Sequence, residues 1–128
     1  MSSTFKSVTV MMPVRNEQAH LVAAVESVLS QNYPGSLEIV LAVGPSIDRT
    51  DKVAKELAAK YPNIKLIENP KGLTTSGLNL AIASSSSDVI IRVDAHSELA
   101  EGYIARGVEI LQESGSVLVG GVMSAVGK

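Results

Sequence analysis

Four times along this sequence a short apolar run gives way to a stretch whose apolar positions recur at helical spacing, with polar, Gly or Pro residues between. Val8-Thr9-Val10-Met11-Met12 is the first run and is expected to end at Pro13. A helix is then expected from Asn16, an N-cap type of residue, with Leu21, Val22, Val25, Val28 and Leu29 as its apolar stripe and Asn32-Tyr33-Pro34-Gly35 as its stop. Leu37 to Val43 reads as a second strand closing on Gly44-Pro45-Ser46, and a second helix follows from about Asp48 to Tyr61-Pro62-Asn63. Ile64 to Ile67, a shorter helix over about Thr74 to Ala83, and the run Val89 to Val93 complete the pattern.

Connections this short allow only local crossovers, so the alternation predicts a parallel sheet covered by helices. In such a sheet all strand ends point one way. Four segments would then share one rim: Pro13 to Glu17, Val43 to Asp48, Asn69 to Gly72 and Asp94 to His96. Ligands of open α/β sheets collect at that carboxyl rim, and these segments are polar, Gly- and Pro-rich and charged in both senses. A nucleotide with its phosphates and a cation suits them.

The fourth rim segment is the most suggestive. Asp94 and His96 stand where a buried strand spills into a loop, and together they offer one hard oxygen and one imidazole nitrogen to a divalent ion. An Asp after a strand is also an ordinary turn former, so the tripeptide alone does not define a metal site. Similar pairs of readings apply elsewhere. Glu17 is a helix-start charge or a ligand acceptor, Arg92 pairs with a neighbouring carboxylate or meets phosphates, and Lys71 is solvated or reaches phosphate. Asp48 reads as a helix cap and His20 as a surface residue.

Composition narrows the classes. The 128 residues fit one domain with an aliphatic core, since there is one Phe, three Tyr and no Trp. A formal charge of -2 gives no basic patch for nucleic acid. With no cysteine, disulfides and thiolate metal sites are excluded. The sequence has neither a Walker loop nor a Gly-x-Gly-x-x-Gly after its first strand, which disfavours an NTPase or ordinary dinucleotide binding.

Pro13-Val14-Arg15-Asn16-Glu17, then Ser46, Asp48 and Thr50 in a Ser-x-Asp-x-Thr run, then Asn69-Pro70-Lys71-Gly72, then a strand ending in an Asp-x-Asp-like element occur in this order over nearly the whole chain. Together they resemble glycosyltransferase family 2, in particular its bacterial succinoglycan-biosynthesis branch. The resemblance implies a Rossmann-like GT-A half, an α/β fold with a mostly parallel sheet and helices on both faces. It also implies a nucleotide diphosphate sugar donor, Mg²⁺ or Mn²⁺, and inverting transfer to a saccharide or lipid-linked acceptor. Matched residue by residue, Pro13, Arg15 and Glu17 belong to the motif that holds the nucleoside, with Glu17 an acceptor for ribose hydroxyls. Asp94 and His96 occupy the first and last positions of the Asp-x-Asp element and are the implied metal ligands; Arg92, which shares strand parity with Asp94, joins it among the candidate donor-binding residues.

This chain departs from the family pattern at two places. Many relatives carry an Asp pair where Val43-Gly44 stand, so base recognition at Gly44 must use backbone groups or another side chain, and the base is left open. His96 replaces the usual last Asp, and imidazole favours Mn²⁺ over Mg²⁺. Beyond His96 a helix with Ile104, Val108 and Leu111 and a strand over Ser116 to Met123 are expected. The general base is expected beyond Lys128, which makes residues 1–128 a single donor-binding domain of a longer, cytoplasmic protein at the inner face of the membrane. Self-association through a face left uncovered is a further expectation. The competing readings are a non-catalytic α/β interaction domain that has lost donor binding, and a nucleotidyltransferase, which would need a basic Gly-rich loop after the first strand.

Overall fold

The computed structural model describes residues 7–31, 33–70, 74–84, 87–95, 99, 102–114 and 118–119. Strands β1 (Val8–Val14), β2 (Leu37–Val43), β3 (Ile64–Glu68), β4 (Val89–Arg92) and β5 (Leu118–Val119) alternate with helices α1 (Leu21–Leu29), α2 (Thr50–Lys60), α3 (Thr74–Ser84) and α4 (Tyr103–Ser114). The strands form one sheet in the order β3-β2-β1-β4-β5, and every neighbouring pair is parallel. The chain builds outward from β1 to β3 and then crosses back to β4. That reversal puts a switch point between β1 and β4, the place where open α/β sheets bind ligands.

Strand parity sorts the core. Val8, Val10, Met12 and Val14 lie in register with Leu37, Ile39, Leu41 and Val43 on one side, and Val8 and Val10 with Val89 and Ile91 on the other. Their side chains share one face of the sheet, because successive residues of a strand point to opposite faces. This face packs in one cluster with Leu21, Ala24, Val25 and Val28 of α1, Ala54 and Leu57 of α2, and Ile104 and Val108 of α4. Two side chains, one in α1 and one just after it, reach the segment after β4: Ser27 Oγ accepts from Leu99 N at 3.1 Å, and Gln31 Oε1 accepts from Ile104 N at 3.1 Å. The second bond satisfies one of the N–H groups that a helix start leaves without an intrahelical partner.

On the opposite face the described apolar cluster is Met11, Val40, Ala42 and Ile90 with Ile67 beside them, and α3 lies across β1, β2 and β3. Gly77 makes this approach possible: a Cβ there would stand 3.1 Å from Ala42 Cβ and 3.0 Å from Asn69 Nδ2. Ser76 Oγ donates to Asn69 Oδ1 at 2.6 Å, which ties α3 to the end of β3.

Two boundary expectations need correction. Pro13 does not end β1, which runs on to Val14 with Pro13 opposite Ala42. Alternate residues of a parallel strand address opposite neighbours: the Met11 carbonyl accepts from Val93 on the β4 side, and the Val14 carbonyl accepts from Gly44 on the β2 side. The missing N–H of Pro13 therefore faces the β4 side, beyond Arg92, the last residue of β4 in register with β1. No ladder bond is lost there.

Asn16 is also not an N-cap. The helix begins at Leu21 after a turn in which both His20 N and Leu21 N donate to the Glu17 carbonyl. Asn16 takes a φ of 54°, in the left-handed region, and its side chain is engaged elsewhere. Val22, assigned to the apolar stripe, is 42% exposed. Of the strand expected over Ser116 to Met123, Leu118–Val119 is described and pairs with β4; the rest lies outside the described residues.

Candidate functional site at the carboxyl rim

The rim at the switch point is built by three loops. After β1 come Arg15, Asn16 and Glu17; after β2 come Gly44, Pro45 and Ser46; after β4 come Val93 and Asp94. The structure thus brings Pro13, Arg15, Glu17, Gly44, Arg92 and Asp94 to one edge of the sheet, as the parallel arrangement requires. His96, Lys71 and Gly72 lie outside the described residues.

The first two loops are laced together. Asn16 N donates to Ser46 Oγ at 3.0 Å, and Asn16 Oδ1 accepts from Ile47 N at 2.8 Å. Glu17 N donates to Thr50 Oγ1 at 2.9 Å, Gln18 N to Asp48 Oδ2 at 3.3 Å, and Arg49 N to Gln18 Oε1 at 3.1 Å. Arg15 Nε donates to the Pro45 carbonyl at 3.2 Å. A left-handed backbone at a non-glycine residue costs roughly 1–2 kcal/mol, and Asn tolerates it best. The bonds to Ser46 and Ile47 hold Asn16 in that state.

Asp48 is the hub of the second loop. Its Oδ1 accepts from Thr50 N at 2.9 Å and from the Thr50 hydroxyl, so it supports the start of α2 although Arg49 occupies the N-cap position. The Thr50 hydroxyl bond, with backbone donors from Thr50 and Gln18 adding to it, holds the exposed Asp48 carboxyl below the usual carboxylate range. Apart from the cap at Asp48, the sequence marks Ser46, Asp48 and Thr50 only through the family resemblance. Their spacing carried a structural signal, since hydroxyl and carboxylate side chains before a helix seek backbone N–H groups.

Glu17 has a half-buried side chain 3.6 Å from His20 Nδ1, and His20 is exposed as expected. Arg92 pairs with a neighbouring carboxylate: its Nη2 stands 3.1 Å from Asp94 Oδ1, and both side chains are about one-third exposed. Arg92 and Asp94 lie on the α3 side of the sheet, the parity of Met11 and Ile90. Arg92 Nε is buried and has no hydrogen-bond partner among the described residues. A cleft of about 450 Å³ opens beside Gly44, between the ends of β2 and β3 and the first turns of α2, with Asp51, Lys55 and Glu68 among the residues that line it. Among the described residues there is no group of three or more His, Cys, Asp or Glu side chains placed to hold a metal, and no helix is long and apolar enough to cross a membrane.

This geometry can be set beside known proteins. Residues 9–128 match the family model described as glycosyl transferase family 2. The chain is 32% identical over 126 residues to the succinoglycan biosynthesis protein ExoA of Rhizobium meliloti, covering 97% of this chain and 38% of that protein. It is 31% identical over 123 residues to the glycosyltransferase AglE of Haloferax volcanii, covering 94% of this chain and 40% of that one. The chain therefore spans about two-fifths of the length of these relatives. Among solved structures, Staphylococcus aureus TarS residues 1–349 superpose with a TM-score of 0.71 at 18% identity, covering 84% of this chain and 32% of that one. Mannosyl-3-phosphoglycerate synthase of Rubrobacter xylanophilus superposes with a TM-score of 0.61 at 17% identity, covering 84% of this chain and 36% of that one. These neighbours establish the GT-A type of α/β fold, and with the family match over residues 9–128 the chain belongs to glycosyl transferase family 2.

Proposed function

We propose that this chain is the donor-binding half of an inverting glycosyltransferase, which takes a nucleotide diphosphate sugar at the carboxyl rim for transfer to a saccharide or lipid-linked acceptor. The reading is carried by one observation: β1, β2 and β4 are neighbouring parallel strands, so their carboxyl ends put Glu17, Gly44, Arg92 and Asp94 on one edge of the sheet. Glu17 accepts from ribose hydroxyls, and Gly44, which has no side chain, leaves the base to backbone groups and the neighbouring cleft. Arg92 uses one nitrogen on Asp94 and keeps other donors of its guanidinium for phosphate oxygens.

A divalent cation, Mn²⁺ or Mg²⁺, is compatible with Asp94. The carboxylate is part-exposed, its Oδ1 is held by Arg92, and its Oδ2 has no partner among the described residues. His96 is the second ligand under this reading. When bound, the cation neutralises the charge that gathers on the departing diphosphate. The acceptor proton is taken by a carboxylate from the rest of the longer protein, since Asp94 is committed to Arg92 and the cation.

Titration with UDP and with GDP, each with and without Mn²⁺, tests the reading by thermal unfolding. Saturating nucleotide at about 100 Kd adds roughly 2.7 kcal/mol to the folded state, so the midpoint rises. UDP comes first because one TarS structure of this fold is a complex with UDP. A midpoint unchanged by either nucleotide in all four conditions would favour the non-catalytic interaction domain instead.

A further inference from the structure

We propose that Asp48 is a positioning residue of the donor site, acting through Thr50 on the backbone that carries Arg15 and Glu17. The inference rests on the reading of those two side chains given under Proposed function, and it concerns what fixes them rather than what they touch.

The loop after β1 is short of internal support. Between the end of β1 at Val14 and the start of α1 at Leu21, its internal backbone bonds are those of His20 and Leu21 to the Glu17 carbonyl. The N–H groups of Asn16, Glu17 and Gln18 all go to side chains of the neighbouring loop: Ser46, Thr50 and Asp48 in turn. The shape of the donor loop is therefore set from outside. Two of its three backbone donors end on the Asp48–Thr50 pair.

The pair behaves as a unit. Thr50 is fully buried, and its hydroxyl hydrogen is directed at Asp48 Oδ1, which turns an oxygen lone pair toward Glu17 N. Asp48 Oδ2 receives Gln18 N, the next residue along. One carboxylate therefore orients two successive peptide units of the donor loop, directly at Gln18 and through a hydroxyl relay at Glu17. Because Asn16 sits in the left-handed region immediately before them, rotation of those peptides is coupled to the direction in which Arg15 and Glu17 leave the backbone. A binding group is only as well placed as the shell that supports it.

The test compares the intact chain with Asp48→Ala, Thr50→Val and Thr50→Ser by measuring affinity for UDP and GDP with Mn²⁺. Urea unfolding and amide hydrogen exchange at Glu17 and Gln18 are followed in parallel. Asp48→Ala and Thr50→Val are expected to weaken nucleotide binding by about tenfold, the lower end of the effect seen when outer-shell partners of metal ligands are removed. Both should speed exchange at Glu17 and Gln18, and Thr50→Ser, which restores the hydroxyl, recovers most of the affinity lost in Thr50→Val. Affinities are read at urea-free conditions where each variant is folded, and Thr50→Val against Thr50→Ser decides the matter if Asp48→Ala does not fold. If the unaltered chain binds nucleotide and the variants bind it equally well, with only the urea midpoint lowered, Asp48 is a plain helix support and the proposal is overturned. If the unaltered chain binds neither nucleotide, the donor reading itself fails.

Discussion

The two faces of the sheet are built to different rules. On the face of Val10, Ile39, Leu41 and Ile91, every one of these residues is fully buried under α1, α2 and α4, and the surface is apolar from end to end. On the other face, the described apolar side chains beneath α3 are Met11, Val40, Ala42, Ile67 and Ile90, and polar groups stand at both ends. At the amino end the buried Thr9 meets Glu38 and Ser87, and Glu38 pairs with Lys65; at the carboxyl end Arg92 meets Asp94. The first face carries the larger described core, and the second ends in a part-exposed ion pair at the rim. Substitutions on the two faces should therefore separate stability from binding.

The largest effect is expected from Ile39→Ala on the three-helix face. Ile39 is fully buried in the middle of β2, and emptying that volume should cost about 2–5 kcal/mol, a large share of an ordinary domain's stability. Urea unfolding measures it; a loss well under 1 kcal/mol would mean that this face is not the main core. Next is Gly77→Ala on the α3 face. Alanine favours a helix over glycine by about 1 kcal/mol, but its Cβ would crowd Ala42 Cβ at 3.1 Å and Asn69 Nδ2 at 3.0 Å, so a net destabilisation of about 1–2 kcal/mol is expected. A gain in stability would show that α3 is free to shift.

The rim should respond to acid. The folded Asp48 carboxyl is held below its unfolded value, mainly by the Thr50 hydroxyl, so the stability it contributes is fully present above the ordinary carboxylate range. It is lost as pH falls through the lower, folded value. Unfolding measured between about pH 5 and 2 should show a smaller acid dependence in Asp48→Asn than in the unaltered chain. Equal slopes would mean that the carboxylate is not linked to folding. Lys65→Ala should have the smallest effect, at most about 1 kcal/mol, because its partner Glu38 is 3.7 Å away and both are part-exposed.

The sequence made the parallel sheet and the shared rim legible because periodicity and short connections leave few topologies. Its boundaries failed where tertiary contacts override local preference. Pro13 reads as a strand end, and it becomes harmless only because β4 leaves the ladder at Arg92. Asn16 reads as a cap, yet its side chain and backbone are taken by Ile47 and Ser46, thirty residues away. Pro13, Arg15, Glu17, Gly44, Arg92 and Asp94 were legible as residues of one sheet edge from strand order, and the pairing of Arg92 with Asp94 from strand parity. The six bonds between the first two loops could not be read, since each joins residues whose proximity depends on the β1–β2 register.

The central claim is that the carboxyl rim on the Arg92–Asp94 side binds a nucleotide donor. Mapping backbone amide shifts while UDP or GDP is added with Mg²⁺ tests it most directly. The account predicts shifts at Arg15, Glu17, Gly44 and Asp94 that vanish in Asp94→Ala, whose urea midpoint stays close to that of the unaltered chain. Shifts confined to the outer surfaces of α1 and α4, or none at saturating nucleotide, would contradict it.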